Sequence, residues 1–305
     1  MNFTLKNGYK ISALTLGTVQ LGLAYGINND KGMPTFEESS AILDTALSNG
    51  VVSFDTARSY GESEIVLRSF FEGDGREKTL ITKANFMDVE KSGVKDKLFS
   101  TARESAERLG IDKIPFLKLH NQKMIEQYGD VLIDALHDLK REGIVDGIGV
   151  SFSDKSKIRE LTDGCGFDCV QIPANIFDSR ELMDGTVKHL ADSGAAVFVR
   201  SVYLQGLFFK NTDTLPEKLR CAKEPLDRLH ALANDAGVSM AELAVTFVRD
   251  TEGIASLILG CDNPSQLLEG IAMINAPKID PSVSAEAMRI AESVPPIVIR
   301  PWEWA

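Results

Sequence analysis

Four side chains of the kinds that move protons, Asp55, Tyr60, Lys83 and His120, stand at or just beyond the ends of short apolar runs at 51–54, 79–82 and 114–119. A free phenol has a pKa near ~10 and is a poor acid at neutral pH. A neighbouring ammonium such as Lys83 favours the phenolate and lowers that value. A buried lysine needs a counter-ion, which Asp55 supplies. An imidazole within hydrogen-bond reach orients a substrate oxygen or shares its proton. Such a set protonates the alkoxide formed when hydride reaches a carbonyl, or deprotonates an alcohol in the reverse direction. A single Asp–Lys pair is commonly structural. Four such groups on successive run ends are a far more specific pattern.

The elements that position them repeat one theme. Eight short apolar runs, at 13–17, 51–55, 79–83, 114–119, 145–150, 168–172, 196–200 and 254–259, read as buried strands. Helix-period stretches fill most of the gaps, at 35–47, 63–71, 94–109, 128–141, 154–161, 180–193, 225–236 and 240–249. Two more, at 264–274 and 283–293, follow the last run. Thr35 precedes the first of them, Asn49-Gly50, Gly110 and Gly143 are stop signals, and Asp154 and Ser239 are N-cap candidates. The opening segment alternates around Asn7-Gly8, which predicts a tight hairpin. Strands alternating with helices predict a parallel sheet covered on both faces. Eight such units without a linker predict one (β/α)8 TIM barrel over residues 1–305, with an N-terminal β-hairpin and extra helices after the last strands. A doubly wound sheet would carry a Gly-x-Gly-x-x-Gly turn, and neither the Gly17 to Gly22 segment nor Gly147-Ile148-Gly149 has that spacing.

The bulk numbers exclude other classes. The 305 residues include 44 acidic and 33 basic side chains, a net charge of -11 that repels a phosphate backbone, so no nucleic-acid partner is expected. The four cysteines, Cys165, Cys169, Cys221 and Cys261, have no metal-site spacing, and no metal is expected. No run has the ~18–20 apolar residues of a membrane span, and residues 1–10 are too polar for a signal peptide. A cytoplasmic location is expected. No heptads or exposed apolar runs specify an oligomeric state.

On these motifs the chain resembles the aldo-keto reductase superfamily, over nearly its whole length and in a bacterial branch associated with sugar metabolism. The family's catalytic Asp, Tyr, Lys and His match Asp55, Tyr60, Lys83 and His120. The resemblance implies Tyr60 as general acid/base, tuned by Lys83 and Asp55, with His120 positioning the carbonyl. It also implies a nicotinamide dinucleotide, NADP(H) or NAD(H), bound without a Rossmann unit. Gly17, Thr18 and Asp55 would lie along the cofactor. Ser151 and Gln171 would hold the carboxamide, although Phe152 stands where the family usually has Asn. Arg200 replaces an aromatic that stacks on the nicotinamide; a stacked guanidinium and an arginine ion-paired at the rim are both open readings. Ser201, Leu204 and Gly206 would line the pyrophosphate path. Gly260, Asp262 and Gln266 match the adenosine end, where a helix N-terminus suits an anion. NADP-using relatives commonly carry Arg or Lys in place of Asp262, which leaves NAD and NADP evenly matched.

The substrate is expected to be a small polar carbonyl or alcohol, sugar-like, bordered by the loop 23–32 with Tyr25 and by Arg58, Asn121, Tyr203 and Trp302. Two other readings stay open: a nicotinamide-binding sensor without turnover, and a Schiff-base aldolase through Lys83.

Overall fold

The computed structural model describes residues 1–25 and 32–304. The hairpin forms as the Asn-Gly turn predicts. Strand β1 (Phe3–Lys6) pairs antiparallel with β2 (Tyr9–Ser12), and Asn7 and Gly8 both take positive φ, of 52° and 83°. Eight parallel strands then close a barrel: β3 (Leu14–Gly17), β4 (Ser53–Asp55), β5 (Thr79–Ala84), β6 (Ile114–Leu119), β7 (Val145–Ser151), β8 (Cys169–Pro173), β9 (Ala196–Arg200) and β10 (Ile254–Leu259). They lie in chain order, with β10 beside β3.

Side chains alternate in and out along each strand. Leu80, Leu117, Ile148, Val170 and Val197 belong to the shell packed under the helices. Ile81, Phe116, Cys169, Phe198 and Ile258 fill the lower lumen, and Ile11 of the hairpin closes it from below. Beside that plug, Ser53 bonds Ser12 and Thr15 at 2.8 Å, and Thr15 bonds Ser256 at 2.6 Å, so the buried hydroxyls satisfy one another. The two glycines of β7 make room in the lumen: a Cβ at Gly147 would meet the Phe116 ring at 2.3 Å, and one at Gly149 the Cys169 carbonyl at 2.1 Å.

Local signals explain most of the helices. Thr35 and Glu38 form a reciprocal capping box at the start of helix Phe36–Ser48. Ser239 and Asn263 cap Met240–Arg249 and Pro264–Asn275. Three expectations are corrected. The stretch 128–141 is two helices, Lys123–Tyr128 and Asp130–Arg141, broken by Gly129 at φ 60°. The stretch 180–193 is likewise split into Arg180–Met183 and Thr186–Asp192 by Gly185 at φ 82°. Asp154 caps no helix; its carboxylate accepts from the Ser156 amide in a turn, and the helix runs only Ile158–Thr162. Among the described residues no helix is long and apolar enough to cross a membrane, and no group of His, Cys, Asp or Glu is arranged to hold a metal ion.

Candidate active site

The tetrad converges at the C-terminal mouth of the barrel. Asp55 ends β4, and its carbonyl accepts from the Thr18 amide and hydroxyl, both at 3.0 Å. Lys83, two residues past Ile81, the register partner of Asp55 in β5, donates to Asp55 Oδ2 at 2.5 Å, to the Thr56 carbonyl at 2.8 Å and to Tyr60 Oη at 3.4 Å. These three acceptors use all of the ammonium's protons. Because Tyr60 Oη accepts from Lys83, its own O–H is free to serve another acceptor. His120 lies edge-on to Tyr60, with ring centroids 5.6 Å apart, and its Nδ1 contacts Ser59 Oγ at 3.1 Å.

Close packing holds the Tyr60 turn. A Cβ on Gly22 would lie 2.0 Å from the Tyr60 carbonyl oxygen, so only glycine fits against it. Arg108 donates to the Gly61 carbonyl at 2.7 Å and pairs with the buried Glu64 at 3.1 Å, while Glu64 also accepts from Thr82 of β5 at 2.7 Å. The turn is thus fastened to the strand that carries Lys83.

A second buried lysine joins the set. Lys118 of β6 is in register with Lys83, is fully buried, and donates to Asp55 Oδ1 at 2.5 Å and to Gln171 Oε1. Two ammonium groups therefore share one carboxylate. Burial pushes the Asp55 carboxyl up, but Lys118 and Lys83 overcome it and hold the carboxyl below its usual range. Burial pushes both lysines down, with Asp55 pulling them back up. Burial and the charge of Asp55 hold the Tyr60 phenol well above its ordinary value, against the pull of Arg200 and Lys118. The expected lowering by Lys83 is thus reversed, and the phenol keeps its proton. Burial and the nearby Lys83 lower His120 to about 3, which leaves a neutral imidazole at working pH.

A cavity of about 670 Å³ runs from Asp55, Tyr60 and His120 to the start of helix Pro264–Asn275. Gly17, Thr18, Ser151, Gln171, Arg200, Ser201, Gly206, Gly260, Asp262 and Gln266 all border it. Leu204 does not; its side chain is buried in the core. The loop after β9 is strained. Ser201, Leu204 and Gln205 have φ of 62°, 47° and 54°, and Gly206 follows at 91°. Three non-glycine residues in the left-handed region of one loop mark a shape kept for a purpose. Arg200 donates to Ser201 Oγ at 3.1 Å and to the Phe152 carbonyl at 3.0 Å, and among the described residues it is ion-paired to no carboxylate. Phe152 is fully buried and does not border the cavity, so it offers no replacement for the missing Asn side chain.

The cavity suits an extended dinucleotide. Gln20 Oε1, on its wall, is buried and has no hydrogen-bond partner among the described residues. Beside it, a Cβ at Gly260 would strike Gln20 Nε2 at 2.4 Å, so the wall stays open only with glycine there. At the far end Asp262 is joined by a second carboxylate, Glu269. Tyr203 also lies at that end, with its hydroxyl 3.7 Å from Met273 Sδ and its ring against Phe209.

Of the five substrate candidates, Tyr25 and Tyr203 border this cavity. Arg58 instead faces Glu104 at 3.7 Å, Asn121 donates to Asn85 at 3.1 Å, and Trp302 is 64% exposed. Trp304 pins the C-terminus by donating to the Ile297 carbonyl at 3.0 Å. Residues 26–31 of the loop expected at the mouth lie outside the described residues. Sequence reasoning passed over Lys118, Gln20 and Glu269. For Lys118 the signal was present, a charged residue inside an otherwise apolar run and in phase with His120.

The profile of the Aldo/keto reductase family matches residues 13–292. The chain is similar to the NADH-specific methylglyoxal reductase of Escherichia coli, 25% identical over 301 residues that cover 87% of this chain and 90% of that protein. It is similar to the D-threo-aldose 1-dehydrogenase of a Pseudomonas species, 22% identical over 303 residues, covering 86% and 89%. In fold it is similar to an aldo-keto reductase of Bacillus halodurans solved in its holo form, with a TM-score of 0.75 and 19% identity over 100% of each chain. The chain belongs to the aldo/keto reductase family, and it is an NAD(P)-dependent oxidoreductase acting on a carbonyl or the corresponding alcohol.

Proposed function

We propose that the enzyme reduces the carbonyl of a small polar, sugar-like molecule, with Tyr60 as the proton donor. The observation that carries this reading is the placement of Tyr60 Oη, which accepts from Lys83 at 3.4 Å and keeps its own proton for the cavity. A bound dihydronicotinamide supplies the hydride. His120, neutral, orients the substrate oxygen. Tyr60 gives its proton to that oxygen as negative charge builds there, and Lys83 steadies the phenolate that remains. Asp55 holds Lys83 in place and keeps it cationic, which argues against a Schiff-base role for that lysine.

Ser151 and Gln171 hold the carboxamide in this reading. Lys118 occupies Gln171 Oε1, which leaves the amide's Nε2 to donate. The strained loop at Ser201 and Gly206 takes the pyrophosphate. Tyr203 moves from the substrate to the adenosine end. Asp262 and Glu269 there repel a 2′-phosphate, and Asp262 can accept from a 2′-hydroxyl, so NAD(H) is preferred over NADP(H). The preference named for the Escherichia coli relative supports this, and the aldose dehydrogenase supports a sugar-like substrate.

Calorimetric titration of NADH and NADPH, followed by turnover assays over aldoses, ketoses and short aldehydes, tests the proposal. NADH is expected to bind more tightly than NADPH. Asp262→Arg should raise NADPH affinity about tenfold, in line with reversing one charge beside the added phosphate. An unchanged NADPH/NADH ratio would remove Asp262 from the 2′ position. Binding without turnover over the whole panel would replace the enzyme with a dinucleotide sensor.

A further inference from the structure

The charges around Asp55 do not balance. Its single negative charge is already bridged by Lys83 at 2.5 Å and Lys118 at 2.5 Å. The thiol of Cys169, beside Lys118 in the same ring of the lumen, is pushed up to about 12 by burial and adds no anion. Arg200 is the third cation of this cluster and has no carboxylate of its own among the described residues. Its guanidinium is held where it is. It donates to the carbonyl of Phe152, next to Ser151, and to Ser201 Oγ, and its strand neighbour Pro173 lies two residues past Gln171. This positive charge, which no carboxylate among the described residues pairs, is therefore fixed beside the two residues assigned to the carboxamide.

We propose that Arg200 makes this site bind the reduced dinucleotide in strong preference to the oxidised one, so that the enzyme is built to run as a reductase. The inference rests on the nicotinamide reading of the cavity. In the reaction a hydride passes from the dihydropyridine ring to the carbonyl carbon, and the Tyr60 proton passes to the oxygen. The ring is thereby oxidised and gains a positive charge. The reduced ring is neutral and sits beside a guanidinium at little electrostatic cost. The oxidised ring is a cation and is repelled by it. Asp55 cannot offset that repulsion, because its charge is matched by the two lysines. An aromatic side chain at this position would carry no such bias.

Calorimetry with NADH and NAD⁺ on the wild-type protein, Arg200→Met, Arg200→Gln and Arg200→Lys tests this without turnover. The wild type is expected to bind NADH on the order of 10- to 100-fold more tightly than NAD⁺, the size of a like-charge contact at intermediate dielectric. Both neutral variants should close most of that gap, chiefly by tightening NAD⁺, and Arg200→Lys should keep it. Equal affinities in the wild type, or a gap that persists in both neutral variants, would overturn the inference and leave the nicotinamide reading standing. Failure of the wild type to bind either form would overturn both.

Discussion

At the scale of single residues, Lys118 alters what Asp55 does. A carboxylate facing Lys83 alone would form a closed pair. Facing two ammonium groups, it is committed on both oxygens and cannot accept a proton during the reaction. In the proposed mechanism the proton comes from Tyr60, which burial and the charge of Asp55 keep protonated. His120 is neutral for the same reason: buried beside Lys83, it cannot afford a further positive charge. This has a consequence for stability. The folded pKa of His120 is about 3 against an ordinary 6.5. Between those values the unfolded chain binds a proton there and the folded chain does not, so stability is lost as pH falls from 6.5 towards 3. Denaturant titrations across that window should show a smaller loss for His120→Asn than for the wild type. Identical slopes would mean that His120 titrates freely in the folded protein.

At the scale of elements, the site depends on two turns packed into each other. The helix Val19–Gly22 after β3 presses Gly22 against the backbone of Tyr60, and Gly61 accepts Arg108 on the other side. Gly22→Ala has no room against a carbonyl oxygen and must move the Tyr60 turn. The expected result is a fall in kcat of about 100-fold, the usual cost of a displacement near 1 Å, with dinucleotide affinity little changed. A kcat within about twofold of wild type would show that the turn yields without moving the phenol. All eight strands are legible in the sequence, because buried parallel strands are short apolar runs bounded by turn residues. Helix boundaries are less so at Gly129 and Gly185, since a helix-period pattern continues through a glycine whether or not it turns left-handed. The tetrad stands out in the sequence because its members lie at or just beyond the ends of apolar runs. Lys118 shows in the sequence only as a charge inside an apolar run; its role depends on register, which places it beside Lys83 and across Asp55. Arg58 and Asn121 contact Glu104 and Asn85 rather than border the cavity for a related reason: spacing shows that a loop leaves the mouth, not which way its side chains turn.

At the scale of the whole molecule, the cavity joins two regions of opposite charge. Three cations surround Asp55 at the barrel centre, and Asp262 and Glu269 stand at the far end. A dinucleotide spanning them would be held along its length by groups other than the phenol, so binding and proton transfer are separable. The hairpin below carries no part of the proposed chemistry; it closes the lumen beneath the strand ends. Tyr60→Phe is the sharpest probe of the proton donor, because it removes one oxygen from the mouth and leaves the rest of the cavity intact. Carbonyl reduction by this variant, measured alongside calorimetric NADH binding, should fall by at least ~100-fold, as expected for loss of a general acid, while NADH affinity stays within about threefold of wild type. A variant that binds NADH normally and still reduces carbonyls at the wild-type rate would contradict the assignment of Tyr60 as the proton donor.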